Sequence, residues 1–227
     1  RQVKSPAEIA KLREACRLTS EGYLKLWPRI RPGMTEGQVR GLMTAAMAEA
    51  GARDGWAKVM TGYGEFNRID GISRDRAIEP GGYVYIDAGA NVGGYWADFV
   101  RNGVLGEPSD LQSDYLARIW EVTQRGIEAC RPGTPCSEVW RVCEAAMATA
   151  GLEFNTRPGR YGHGVGLFVT EPPHISANDH TIIEPGMVLT MEPGFIHHDG
   201  LCHIEEQFVV TETGVDAPAP TRAASLR

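Results

Sequence analysis

Four carboxylates and one imidazole carry the chemistry this sequence can do. Asp87 and Asp98 stand eleven residues apart, on either side of the turn Asn91-Val92-Gly93-Gly94. Two antiparallel strands joined by such a turn bring residues at that spacing side by side on one face. Glu192 and Glu205, thirteen apart, bracket a second pair of apolar stretches in the equivalent place. Between the pairs lies Tyr161-Gly162-His163-Gly164-Val165-Gly166-Leu167, a histidine among glycines that allow close backbone approach. Taken singly, an acid in a strand is a surface residue and a Gly-flanked His is a loop residue. Burying an acid in an apolar run is costly unless it is paired or bound to metal. Four converging carboxylates repel, and one or two divalent cations resolve the conflict. This hard, oxygen-rich donor set suits Mn, Co, Fe or Zn in a two-metal arrangement.

The elements that must position these residues show an internal repeat. Residues 31–51 and 131–151 match at ten of 21 positions without a gap, including Arg-Pro-Gly at the start and the Ala-Ala-Met-Ala block before a closing Gly. Each copy reads as a turn and a helix, with Thr35 or Ser137 near the N-cap and Gly51 or Gly151 at the stop. Ile78-Glu79-Pro80-Gly81 and Ile183-Glu184-Pro185-Gly186 form a second echo, and in both an acid (Asp87, Glu192) stands nine residues after the Ile. Ser5-Pro6-Ala7-Glu8 opens a long helix to about Leu26, and another runs from about Ser109 to Cys130. Strands are expected near 82–90, 95–104, 187–196 and 202–211. The pattern predicts an α+β fold of two halves, about 1–107 and 108–215, related by an approximate twofold around a curved antiparallel sheet. Residues 216–227 read as a loose, Pro-rich tail.

Composition narrows the rest. The 227 residues carry 23 basic and 29 acidic side chains, a net charge of −6 that argues against nucleic acid as a partner. No apolar run approaches the roughly 18 residues needed to span a bilayer, so a membrane is not expected as a partner. Five cysteines without Cys-x-x-Cys spacing read as reduced thiols of a cytoplasmic protein. All six histidines lie between positions 163 and 203.

With those segments, the sequence resembles the methionine aminopeptidase, Xaa-Pro peptidase and creatinase superfamily, whose fold is called pita-bread. The matching segments are Tyr85 to Gly89, Gly94 to Arg101, Gly162 to Leu167, Thr190 to Gly194, and Ile204-Glu205-Glu206 through Gly214. The start, Val3 to Ile9, resembles the link after the N-terminal domain of Xaa-Pro peptidases, which implies one part of a longer protein. The resemblance implies that Asp87 holds one metal, His163 and Glu192 the other, and that Asp98 and Glu205 bridge them. Glu205 is preferred to Glu206 because nine residues separate it from Gly214, the family spacing. A hydroxide between the metals would attack a peptide or amide bond, with Glu192 as general base. A small peptide or small-molecule substrate and a homodimer are implied in the same way.

Departures from the family pattern bear on the substrate. Peptidases of this kind usually carry a His before the first metal strand, where this chain has Asp70, and another seven residues after the metal-binding His, where it has Thr170. The Arg two residues before the last metal Glu is here His203. Asp70 would suit a cationic group on a substrate, and His174 could replace the missing imidazole. Tyr161 and Trp96 are candidates for the pocket wall, whereas Trp56, Tyr63 and Phe66 read as packing. The alternative to a peptidase is a small-molecule hydrolase or lyase of the same superfamily. A scaffold without catalysis is disfavoured, since it needs no clustered acids.

Overall fold

The structure is a computed structural model describing residues 2–61, 73–153, 159–197 and 200–216. Its helices come in two like pairs. α1 (Pro6–Leu26) and α2 (Glu36–Glu49) begin on Ser5 and Thr35, each closing a capping box with Glu8 or Gln38. In the second half α3 (Asp110–Ala129) begins on Ser109 in the same way. α4 (Cys136–Thr149) differs from expectation, because its N-cap is Pro135 and no side chain caps it. Its first amides are satisfied by backbone instead: Cys136 N–H donates to Thr181 O and Ser137 N–H to Asp179 O, at 3.0 and 2.8 Å. Ser137 sits inside the first turn, with Oγ 3.0 Å from His180 Nδ1.

The repeat has a structural reason. Gly33 and Gly133 have φ of 83° and 88°, a left-handed turn that disfavours any residue with a Cβ. Their amides donate to Ile78 O and Ile183 O at 3.0 and 2.9 Å, so each Arg-Pro-Gly turn is tied to its own Ile-Glu-Pro-Gly. Each tie fixes where the following strand enters the sheet.

Four strands, β1 (Asp54–Thr61), β2 (Tyr83–Val92), β3 (Tyr95–Trp96) and β4 (Phe99–Val104), pair antiparallel in the first half. The second half contributes β5 (His163–Gly164), β6 (Glu171–His174), β7 (Val188–Met191), β8 (Gly194–His197), β9 (Gly200–His203), β10 (Glu206–Thr211) and β11 (Gly214–Asp216). Five of these order as β11-β10-β7-β5-β6, and β8 pairs with β9. Among the described residues, an isolated bridge between Val100 and Glu205 joins the first-half sheet to the second half.

Two differences from the sequence expectation matter. β1 was not anticipated, and the long strands are interrupted at Ala97-Asp98, Glu192-Pro193 and Ile204-Glu205. Pro193, which has no N–H to give a ladder, explains one break. Asp216, expected in the tail, closes β11 opposite Val209; residues 217–227 lie outside the described residues. Each half has a main core, with Tyr23, Met43, Val59 and Ile86 in one and Ile119, Met147, Leu189 and Phe208 in the other. Tyr83 and Val104 of the first half join the second core. Two small clusters, Met60-Tyr85-Val100-Leu201 and Leu12-Val165-Val188-Val209, cross between the halves. All five cysteines are buried and unpaired. Among the described residues no helix is long and apolar enough to cross a membrane.

Candidate metal centre

The three strand breaks are where the acids stand. Asp87 lies within β2, while Asp98, Glu192 and Glu205 occupy the interruptions, where a side chain is released from strict alternation. Two glycines permit the assembly. A Cβ on Gly89 would stand 1.7 Å from Ala97 O, so only glycine lets the chain carrying Asp98 lie against β2. A Cβ on Gly162 would stand 2.1 Å from Thr190 O, the residue two before Glu192. Backbone bonds complete the frame: Asp98 N–H donates to Gln207 Oε1 at 2.9 Å, Glu192 N–H to Tyr161 O at 2.7 Å, and Glu205 N–H to Val100 O at 3.2 Å.

His163 is at the centre. Its Nδ1 lies 3.0 Å from Gly164 O, which can only accept, so Nδ1 carries a proton and Nε2 is the nitrogen turned toward the acids. Nε2 then lies 3.5 Å from Asp98 Oδ2, from Glu192 Oε1 and from Glu205 Oε1. These separations exceed good hydrogen bonds. One ligand atom each from Asp98, His163 and Glu205 lies within 4.8 Å of the others, all three residues being buried. Asp87 adds a buried Oδ1 with no hydrogen-bond partner, while its Oδ2 accepts from Tyr85 OH at 3.0 Å. Oxygen and imidazole donors, buried and undersatisfied, fit divalent cations.

Electrostatics point the same way. Burial, then the charge of Glu205, pushes Asp87 up to about 8. The same two causes raise Asp98 and Glu192. Burial would also raise Glu205, but its contact with His163 outweighs that and holds it below the usual range. Without a cation, the cluster relieves its repulsion by taking up protons.

The structure brings Asp98, His163, Glu192 and Glu205 together with Asp87 beside them; Asp70, like Tyr63 and Phe66, lies outside the described residues. His174 is the strand partner of His163 across β5 and β6, and its buried Nδ1 has no hydrogen-bond partner. Burial, then Arg160 and His163, lowers its pKa. Thr170 is exposed. His203 approaches Glu192, Nε2 to Oε2 3.9 Å, and burial holds it down at about 4, so it is neutral. Tyr161 is no pocket wall: it is fully buried and donates to Glu144 Oε1 at 2.6 Å. Glu206, set aside as a ligand, forms a buried ion pair with Arg101 at 2.8 Å.

Sequence reading missed two cations. Arg160 donates from Nε to Glu192 Oε1 at 3.0 Å; its only signal was a position three residues before His163. Lys58 faces Asp87 across β1 and β2, and could have been found only by assigning β1.

Comparison with known proteins identifies the fold and the family. A Xaa-Pro dipeptidase of Pyrococcus furiosus is 30% identical over 221 residues, covering 94% of this chain and 62% of that protein. The peptidase YqhT of Bacillus subtilis is also 30% identical and is covered over 61% of its length, so this chain spans about three-fifths of these relatives. Among solved structures, an X-Pro aminopeptidase of Thermotoga maritima superposes with a TM-score of 0.90 at 28% identity, over 100% of this chain and 64% of that one. Prolidase from Pyrococcus furiosus gives 0.88 at 29%, over 97% and 66%. The fold is the pita-bread fold of these enzymes. The model of metallopeptidase family M24 matches residues 10–212, which takes in all five clustered side chains and makes this chain a member of that family.

Proposed function

We propose that the chain is the catalytic part of a peptidase that uses two divalent metal ions and hydrolyses small peptides, with an Xaa-Pro dipeptide as the nearest substrate type. The observation that carries this reading is the approach of three carboxylates to one imidazole nitrogen at 3.5 Å, beside an unpartnered Asp87 oxygen. Asp87, Asp98, His163, Glu192 and Glu205 would hold the ions. Mn, Co, Zn and Fe all suit the donors. Bound there, the ions would supply a nucleophile at neutral pH and polarise the scissile carbonyl. Glu192 would take and return the proton, with Arg160 holding its carboxylate in place. His203, neutral and beside Glu192, offers an imidazole near the reacting group; His174, across from His163, offers a second.

A non-peptidase hydrolase or lyase of the same fold is the second reading. It is favoured by the exposed Thr170 hydroxyl, which stands where an imidazole is expected. One experiment addresses both readings. Protein purified without chelator is assayed for metal beside Asp98→Ala, then tested with Mn or Co on Xaa-Pro dipeptides, N-terminal Met peptides and unrelated amides. Metal in the parent but not in the variant, with turnover of Xaa-Pro dipeptides, is the expected result. Equal metal in both rules out the centre, and a metallated protein that cleaves no peptide turns the assignment to the second reading.

A further inference from the structure

One charge near the centre is not used by the reaction above. Lys58 is the registered partner of Asp87 in the β1–β2 ladder, so both side chains leave the same face of the sheet. Its Nζ stands 5.6 Å from the centre of the Tyr85 ring, and that ring's hydroxyl donates to Asp87. On its other contacts the ring lies 5.7 Å from the His203 ring, at 33°. Lys58 is half-buried and makes no ion pair with any described residue.

A second donor lies on the same face. Trp56, two residues before Lys58, is registered with Gly89. Its Nε1 would stand 2.9 Å from a Cβ on that glycine. This indole nitrogen is buried without a hydrogen-bond partner, an arrangement that costs stability unless something accepts from it. The Trp56 N–H is sealed within the sheet face, so of the two donors beside Asp87 only the half-buried Lys58 ammonium can be reached from solvent.

Charge balance indicates what Lys58 awaits. Two divalent cations would neutralise the four site acids and leave two positive side chains, of which Arg160 is held against Glu192. Lys58 is then a cation in excess among the described groups, in a partly desolvated wall where charge–charge attraction is stronger than in water. The partner it can take is an anion carried by the substrate.

We propose that Lys58 binds a free carboxylate of the substrate on the β1 side of the proposed metal ligands. This rests on the peptidase reading for the identity of the carboxylate, which would be the C-terminus of a dipeptide. The subsite thereby selects dipeptides over longer or C-terminally amidated peptides.

The test uses binding, so that it does not depend on turnover. L-Proline and L-prolinamide are titrated calorimetrically into the Mn-loaded parent, Lys58→Met and Lys58→Arg proteins, each checked for equal metal content. Proline is expected to bind the parent more tightly than prolinamide. Lys58→Met should weaken proline by about 10- to 100-fold, the scale of one charge-assisted hydrogen bond, and leave prolinamide unchanged. Lys58→Arg should recover most of the loss. Proline binding that is insensitive to Lys58→Met, or an equal loss for both ligands, overturns the subsite; so does a parent protein that cleaves Ala-Pro but binds proline no better than prolinamide. Lys58-dependent proline binding without hydrolysis of any peptide leaves the subsite standing and removes the peptidase reading.

Discussion

Arg160 reaches Glu192 at the oxygen that also faces His163, while the other oxygen faces His203. The carboxylate is thus fixed from three sides, and Arg160 supplies the only permanent charge among them. Burial and Glu205 raise the proton affinity of Glu192, whereas Arg160 lowers it. Replacing Arg160 with Met therefore removes both a positioning bond and a charge that favours the basic form. We expect kcat on an Xaa-Pro dipeptide to fall about 10- to 100-fold, at the lower end of general-base contributions. The acid limb of the rate profile should move to higher pH and metal content should stay unchanged. An unaltered acid limb would show that Arg160 does not tune Glu192.

The stems on either side of residues 62–72 are held by one side chain. Glu36, in the first turn of α2 and almost fully buried, accepts Thr61 N–H at 2.9 Å with one oxygen and Arg74 N–H at 2.7 Å with the other. Ser73 Oγ accepts Val59 N–H at 2.9 Å beside it. The end of β1 and the chain that returns to β2 are therefore pinned to the same carboxylate. Glu36→Gln keeps one acceptor oxygen and turns an amide NH2 toward the other donor. It should cost about 1.5–3 kcal/mol in urea unfolding, with metal binding at the proposed ligands unchanged. This arrangement also shows where sequence reading stops. Capping boxes at Ser5, Thr35 and Ser109 and the left-handed turns at Gly33 and Gly133 are local chemistry, and the sequence displays them. The five clustered side chains were accessible through the repeat and the family motifs. β1 was not, because Asp54-Gly55 looks like a turn and Lys58 looks like a solvent residue. Its strand character comes from pairing with β2, a long-range fact. The breaks at Asp98 and Glu205 are equally non-local, since they exist where one half crosses to the other.

Across the whole molecule, the buried acids make folding depend on pH in a definite direction. Asp87 rises from an ordinary value near 4 to about 8 in the metal-free fold, and Asp98 and Glu192 are raised too. The folded chain then holds protons that the unfolded chain has released, so stability falls as pH climbs between those values. Glu205, lowered, contributes in the opposite sense only in the acid range, and His203, held down at about 4, opposes the acids up to the ordinary histidine value near 6.5. Thermal unfolding of chelated protein should therefore give a Tm that drops from about pH 6.5 to pH 8, and excess Mn should flatten that slope. A metal-free Tm that rises over this interval would contradict the assigned burial.

The bridge between Val100 and Glu205 has a further consequence. Asp87 and Asp98 belong to one half of the chain, and His163, Glu192 and Glu205 to the other, and the bridge fastens the halves at Glu205, one of the proposed ligands. Neither half alone has a complete set of donors. A cation held by these five side chains would therefore act as a rivet through the seam, and its retention would report that both halves have docked in register. Errors in assembly would be exposed as failure to hold metal, before any substrate arrives.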